Sequence, residues 1–205
     1  MIRSYKSTEF GQRIYVLDTG THSLVVDPGA MTIETAQLIV AENSTPIGAL
    51  LTHGHFDHMN GIPQLTNVLG SLDVFLDEGD KGLIKQNRLL QFVTKSNSKP
   101  YELLDWTDWR GSEFSAISKE FGLEVIEAPG HTPGSVCILF ENVLFSGDTI
   151  LANASGPVML PGGNKEEMLS TLHKIEVLEG YDLIYPGHGL PFARTSVDWS
   201  IREYK

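Results

Sequence analysis

Thr52-His53-Gly54-His55-Phe56-Asp57-His58 is the stretch on which the reading of this chain turns. Three imidazoles and a carboxylate fall within six residues, directly after the apolar run Ile47-Gly-Ala-Leu-Leu51. A buried imidazole must find a hydrogen bond, and four titratable groups packed together are costly to hold unless a cation sits among them. Neutral imidazoles with a carboxylate suit zinc, iron or manganese. In an extended loop, the alternate side chains of His53 and His55 can share one metal. Asp57 and His58 then turn toward a second. The competing reading is a polar surface loop, but the density of the cluster and its place at a strand end weigh against that.

Three more segments have the same setting. Ala128-Pro-Gly130-His131-Thr-Pro-Gly134-Ser135 is a sharp loop that presents His131. Phe145-Ser-Gly147-Asp148-Thr149 puts an aspartate after an apolar run, where its two oxygens can bridge two cations. Tyr185-Pro-Gly187-His188-Gly189-Leu-Pro191 is another loop after a strand. Each taken alone is also an ordinary turn. Together with the first cluster they supply five imidazoles and two carboxylates, all at strand-to-loop junctions. Seven ligands are about what two zinc ions need with a bridging water.

The elements between these loops follow from periodicity. Arg13–Leu17 and Ser23–Val26 read as a hairpin around Asp18-Thr-Gly-Thr21, ended by Asp27-Pro-Gly29. A helix is predicted over residues 32–43 with Thr32 as its N-cap, and a second from near His58 to about Leu69. Strands are predicted at 47–51, 72–76, 123–126, 136–140, 143–145 and 182–185. The capping-box spacing of Asn164 and Glu167 opens a helix at about 165–179. This pattern indicates a mixed α/β or α+β domain with layered packing.

Composition narrows the class. The chain has 205 residues, 41% hydrophobic and 20% charged, which is enough for one domain with a sizeable core. Disorder, collagen and coiled coil are excluded. No apolar run approaches the ~20 residues of a membrane helix, and Met1-Ile-Arg-Ser-Tyr-Lys6 lacks the apolar core of a signal peptide. A single cysteine, Cys137, cannot form an internal disulfide and reads as a small core residue, so a reducing, cytoplasmic setting is expected. The net charge of −11 repels phosphate backbones, so no nucleic-acid partner and no membrane partner is expected, only a small-molecule substrate. The sequence does not specify an oligomeric state.

His53-x-His55-x-Asp57-His58, Gly130-His131-Thr132-Pro133-Gly134, Gly147-Asp148-Thr149 and Gly187-His188, in that order over nearly the whole chain, resemble the motifs of the metallo-β-lactamase superfamily. The resemblance implies an αββα sandwich with the metals at one edge of its two sheets. It also implies a ligand set: His53, His55 and His131 on one metal, Asp57, His58 and His188 on the other, and Asp148 bridging. The cofactors are then two Zn2+ per chain, with iron or manganese as the other metals that such ligands accept.

Two cations sharing a water make hydroxide available near neutral pH. Hydrolysis of an acyl or phosphoryl bond follows, with Asp57 as the catalytic residue that orients the nucleophile and shuttles its proton. The bridging Asp148 and the Ala128–Ser135 segment look most like the glyoxalase II group, which implies hydrolysis of a thioester, ester or lactone. Members of that group commonly have a Gly-Arg-x-Asp segment after Gly-Asp-Thr. Gly156-Pro-Val-Met159 stands at the matching place without either charge, which favours a smaller or more apolar substrate. A mononuclear iron persulfide dioxygenase shares much of the motif set and is the alternative. A non-enzymatic metal-binding protein is a third reading, disfavoured because no ligand is missing.

Residues 77–120 are read as an insertion. Lys81 to Lys99 holds five bases and no acids, and residues 100–120 hold five acids, two bases and the aromatics Tyr101, Trp106, Trp109 and Phe114. As a lid, the segment would offer Lys81, Lys85, Arg88, Lys95 or Lys99 to an anionic substrate and Trp106 and Trp109 as apolar walls. A solvated helix with a packing or dimer-forming loop is the preferred reading. His22 and His173 are expected at the surface.

Overall fold

The computed structural model describes residues 1–97, 101, 103, 105–152 and 154–202. Its first sheet runs β1 (Ile2–Lys6), β2 (Arg13–Asp18), β3 (Ser23–Val26), β4 (Pro46–Leu50) and β5 (Asp73–Phe75), side by side in chain order. β1, β2 and β3 are antiparallel, whereas β3, β4 and β5 are parallel. The parallel steps are crossed by α1 (Ile33–Glu42) and α2 (Ile62–Leu69). After α3 (Lys81–Ile84), α4 (Asn87–Thr94) and α5 (Ser112–Phe121) comes the second sheet. It contains β6 (Leu123–Glu127), β7 (Val136–Phe140) and β8 (Val143–Gly147). A two-stranded ribbon, β9 (Ile150–Leu151) and β10 (Ala154–Ser155), then leads into α6 (Lys165–Val177). β11 (Leu183–Pro186) returns parallel to β8, and β12 (Phe192–Ala193) closes the edge.

Strand alternation produces the layers. In β2, Tyr15 and Leu17 face the second sheet, where they meet Ile138, Phe145 and their neighbours; Ile14 and Val16 face outward onto Ala36, Ile39 and Leu65 of α1 and α2. The outer face of the second sheet, Cys137, Leu144 and Ile184, packs on Met168, Leu172 and Ile175 of α6. The result is the αββα sandwich. Thr32 and Asn164 cap α1 and α6 by accepting from the backbone N–H three residues on, at Thr35 and Glu167.

Several expectations are corrected. The chain opens with β1, not with the β2–β3 hairpin, because Ile2–Lys6 carries too little apolar alternation to be read as a strand. The helix expected from His58 starts at Ile62, after a short 3-10 turn over Phe56–His58. The Lys81–Lys99 pattern splits into α3 and α4, and α4 stops where Lys95 enters the left-handed region at φ 57°. Trp109 packs in the core against Phe75 and Phe114, so it is no wall of the metal site. Lys81 pairs with Glu78; Lys99 lies outside the described residues. Cys137 is buried, His22 pairs with Glu120 at the surface, and His173 is exposed beside Glu176.

At one edge of the sandwich the two sheets are stitched together. Val136 N–H donates to Thr52 O and Arg13 N–H to Gly187 O, both at 2.8 Å, and within the second sheet Gly187 N–H donates to Gly147 O at 2.7 Å. The loops after β4, β6, β8 and β11 all leave from this edge.

Candidate metal centre

The seven side chains singled out from the sequence converge at that edge. Ligand atoms of His53, His55 and His131 lie within 4.8 Å of one another, as do those of His53, His58 and Asp148 and those of Asp57, His58 and His188. Two imidazole–imidazole approaches define the geometry. His55 Nδ1 is 2.9 Å from His131 Nε2, and His58 Nε2 is 3.3 Å from His188 Nε2. Asp148 reaches both groups: Oδ1 is 3.5 Å from His58 Nε2, and Oδ2 is 3.7 Å from His131 Nε2 and 3.4 Å from His188 Nε2. Asp57 Oδ2 stands 3.3 Å from His188 Nε2 and 3.8 Å from His58 Nε2.

The outer partners fix which ring nitrogens turn inward. The carbonyls of Pro157 and Phe10 accept from Nδ1–H of His131 and His188, at 2.8 and 3.0 Å. Their Nε2 lone pairs therefore face the cluster. His58 Nδ1–H donates to Asp27 Oδ2 at 2.9 Å. The Thr52 hydroxyl also donates to Asp27 Oδ2, at 2.7 Å, so its oxygen is free to accept from His53 Nδ1–H at 3.1 Å. One buried carboxylate thus sets the tautomers of two histidines. The Phe10 carbonyl is aimed by a left-handed turn, φ 52° at Phe10 and 68° at Gly11, the kind of strained backbone that persists where surrounding structure enforces it.

The donor set fits metal. The buried Nε2 atom of His53 and Oδ1 of Asp148 have no hydrogen-bond partner, a costly arrangement when nothing else meets them. Lone pairs facing each other at 2.9 and 3.3 Å need positive charge between them, and such separations are those of ligands about 2.0–2.1 Å from a shared centre. Protonation answers the same need. Burial opposes charge on His58, but Asp27, Asp148 and Asp57 outweigh it and push its pKa up to about 9. Burial likewise opposes charge on His188, but its bonds to Asp148 and Asp57 push it up to about 11. Burial drives His55 down to about 3, aided by the neighbouring His131, and holds His53 well below the usual imidazole range. Gly187 lies so close that a methyl there would overlap Asp148 Oδ1 and approach His58 Cε1 to 2.7 Å.

Two aspartates central to this arrangement escape the sequence reading as site residues. In the sequence Asp27 marks only the end of β3. Its one signal is a carboxylate at the C-terminal end of the strand beside β4, where the ligands begin. Asp80 is buried and holds the two main ligand loops together: it accepts from Gly54 N–H at 2.6 Å, Gly134 N–H at 2.7 Å and the Thr132 hydroxyl at 2.8 Å. Nothing local to Asp80 marks it. α6 braces the His131 loop from the other side, with Asn164 N–H donating to Gly130 O and the Thr171 hydroxyl to Pro129 O.

Comparison with known proteins identifies the family and the fold. The family model described as the metallo-β-lactamase superfamily matches residues 7–188. The chain belongs to the metallo-β-lactamase superfamily. Among superfamily relatives, a probable metallo-hydrolase of Bacillus subtilis is 30% identical over 182 residues, covering 85% of this chain and 83% of that protein. A hydroxyacylglutathione hydrolase of Nitrosomonas eutropha is 30% identical over 176 residues, covering 85% of this chain but 60% of that protein. A solved B3 metallo-β-lactamase, BLEG-1, matches with a TM-score of 0.79 at 24% identity over 96% of this chain and 95% of its own. A protein solved in a di-iron-bound form, TTHA1623, matches at 0.80 and 23% identity over 98% and 97%. At these identities the solved structures show the superfamily fold. Among the described residues, no helix is long and apolar enough to cross a membrane.

Asp27→Asn is expected to weaken metal binding about 10–100-fold. The amide can turn only one oxygen to the two Thr52 donors and His58, so a donor meets a donor. Competition against a chromogenic chelator measures this, and unchanged affinity would remove Asp27 from the account.

Proposed function

We propose that this chain is a binuclear metal-dependent hydrolase that cleaves a small thioester, ester or lactone, with zinc as its metal. The observation that carries the reading is the contact of Asp148 with both His131 and the His58–His188 pair. His53, His55 and His131 would hold one cation, Asp57, His58 and His188 the other, and Asp148 would join them. Bound divalent cations acidify water toward neutral pKa and polarise a carbonyl oxygen. Asp57 lines the open cleft over the site, and its carboxylate is held below the usual range because His58 and His188 outweigh the effect of burial. It is placed to orient an attacking water and take its proton. The apolar walls of the cleft limit competing water. A cytoplasmic setting belongs to the same proposal and rests on the lone Cys137, whose thiol burial pushes up to about 12 and leaves inert.

The test is elemental analysis of protein purified without chelator or added metal, paired with assays on thioesters and lactones. About two zinc ions per chain, with turnover that chelation removes and zinc restores, is the expected result. About one iron per chain, no hydrolysis, and sulfite formed from glutathione persulfide would overturn it in favour of the dioxygenase.

A further inference from the structure

A cleft of about 240 Å³ opens directly over Asp57, Asp148 and His188. Apart from the metal-site residues, it is walled by Phe10 and Phe56, by Leu90 of α4, and by Leu151, Pro157 and Leu160 from the chain that follows Asp148. The remaining lining residue, Thr94, spends its hydroxyl on the carbonyls of Leu90 and Gln91, at 2.8 and 3.3 Å. Among the described residues, no lysine or arginine lines the cleft. Lys81 pairs with Glu78, Arg110 with Asp77 and Glu127, and the Arg13 guanidinium donates to Gly189 O. With cations bound at the ligands, an anionic acyl tail that points away from them still meets only apolar walls, with no lysine or arginine among the described lining residues, on a chain of net charge −11. An apolar chain would instead cover the exposed faces of Phe10, Leu90 and Leu160.

We propose that this cleft selects an uncharged, aliphatic acyl group, seated between Leu90 and Leu160, and discriminates against acyl groups or leaving groups that carry carboxylates. Leu160 is the specificity-determining position, because it is partly exposed at the rim and a longer side chain there can reach the cleft without disturbing the core. The inference rests on the hydrolytic reading and deepens it. Each methylene buried on an apolar wall is worth about a fourfold gain, so selectivity should show as a slope in chain length.

The experiment measures kcat/KM of the metal-loaded protein on uncharged N-acetylcysteamine thioesters of two to ten acyl carbons, on their ω-carboxylate counterparts, and on lactoylglutathione. The expected result is a rise of about fourfold per methylene until the cleft is filled, and at least about a hundredfold loss for the ω-carboxylates. Leu160→Arg should flatten the slope and recover the carboxylate substrates. A readout independent of turnover is calorimetric titration with n-alkyl methyl ketones, whose affinity should rise with chain length and lose that dependence in Leu160→Arg. Turnover with a flat series, or a preference for lactoylglutathione, would overturn the selectivity and leave the hydrolase standing. Ketone affinities that do not depend on chain length would overturn the selectivity whatever the assays show. No turnover on any ester, with the chain-length dependence of ketone binding intact, would overturn the hydrolase reading while the apolar subsite stands.

Discussion

Turnover of any thioester or lactone by Asp148→Ala is expected to fall by about a thousandfold or more. Asp148 is the side chain whose two oxygens face His58 on one side and His131 and His188 on the other. Without it the two halves of the site share no anion, and imidazoles that point inward face one another with less negative charge between them. Its own carboxylate is held far below the usual range, because His58, His188 and His131 together overcome the effect of burial. Losing a metal's contribution removes several kcal/mol of transition-state stabilisation, and each 1.36 kcal/mol is about a factor of ten. The fold should survive, since Asp148 lies at the edge of the sandwich and belongs to none of the four apolar clusters. Metal content, kcat/KM and a thermal melt on the same preparation separate the cases. Wild-type turnover would show that the centre does not need a shared carboxylate.

Asp80→Ala is expected to be the most damaging substitution for stability. Asp80 is fully buried, and its removal leaves two backbone N–H groups and the Thr132 hydroxyl without the carboxylate they bond to. Each orphaned group costs roughly 1–3 kcal/mol; the Thr132 hydroxyl keeps Ser135 Oγ at 2.7 Å, so the two N–H groups give a total of about 2–6 kcal/mol, against a typical domain stability of ~5–15 kcal/mol. For a chain of this size that is on the order of 10–20 °C in Tm. The loops carrying His55 and His131 are the ones released, so metal affinity should fall with stability. Urea unfolding in chelator isolates the first effect, and titration with zinc the second. Asp80→Asn, which retains an acceptor, should fall between. A loss below about 1 kcal/mol would mean the loops are held by something else.

How much of this is legible in the sequence depends on range. The four ligand loops are readable because each carries its own punctuation: an apolar run, then ligands set beside glycine or proline. The caps at Thr32 and Asn164 are readable for the same reason, since their partners are three residues away. Asp80 is bonded to groups 26 and 54 positions distant, and no local pattern encodes that. Asp27 reaches His58 across 31 positions, and as an aspartate before proline and glycine it looks like any turn. β1 escapes because a strand paired only along one edge needs little apolar alternation. Trp109 is left open between a lid wall and packing, the preferred reading, because composition identifies an aromatic cluster but does not say which face of the fold it fills; it packs in the core.

The knot at Asp80 also has a bearing on inheritance and design. It pins the chain to Gly54 and Gly134 immediately before α3 begins. The helices beyond it, including the Leu90 wall of the cleft, are held at this peg and again where the Asn87 side chain of α4 donates to Gly54 O at 2.9 Å. Insertions, deletions or wholesale exchange of those helices can therefore retool the choice of substrate while the chemistry stays in register. The attachment is made at a few points: Asp80 and Asn87 to the ligand loops, and Ser96 and Asn97 to Glu9. Grafting the α3–α4 segment of a relative onto this chain after Asp80 is the natural route to a new substrate range.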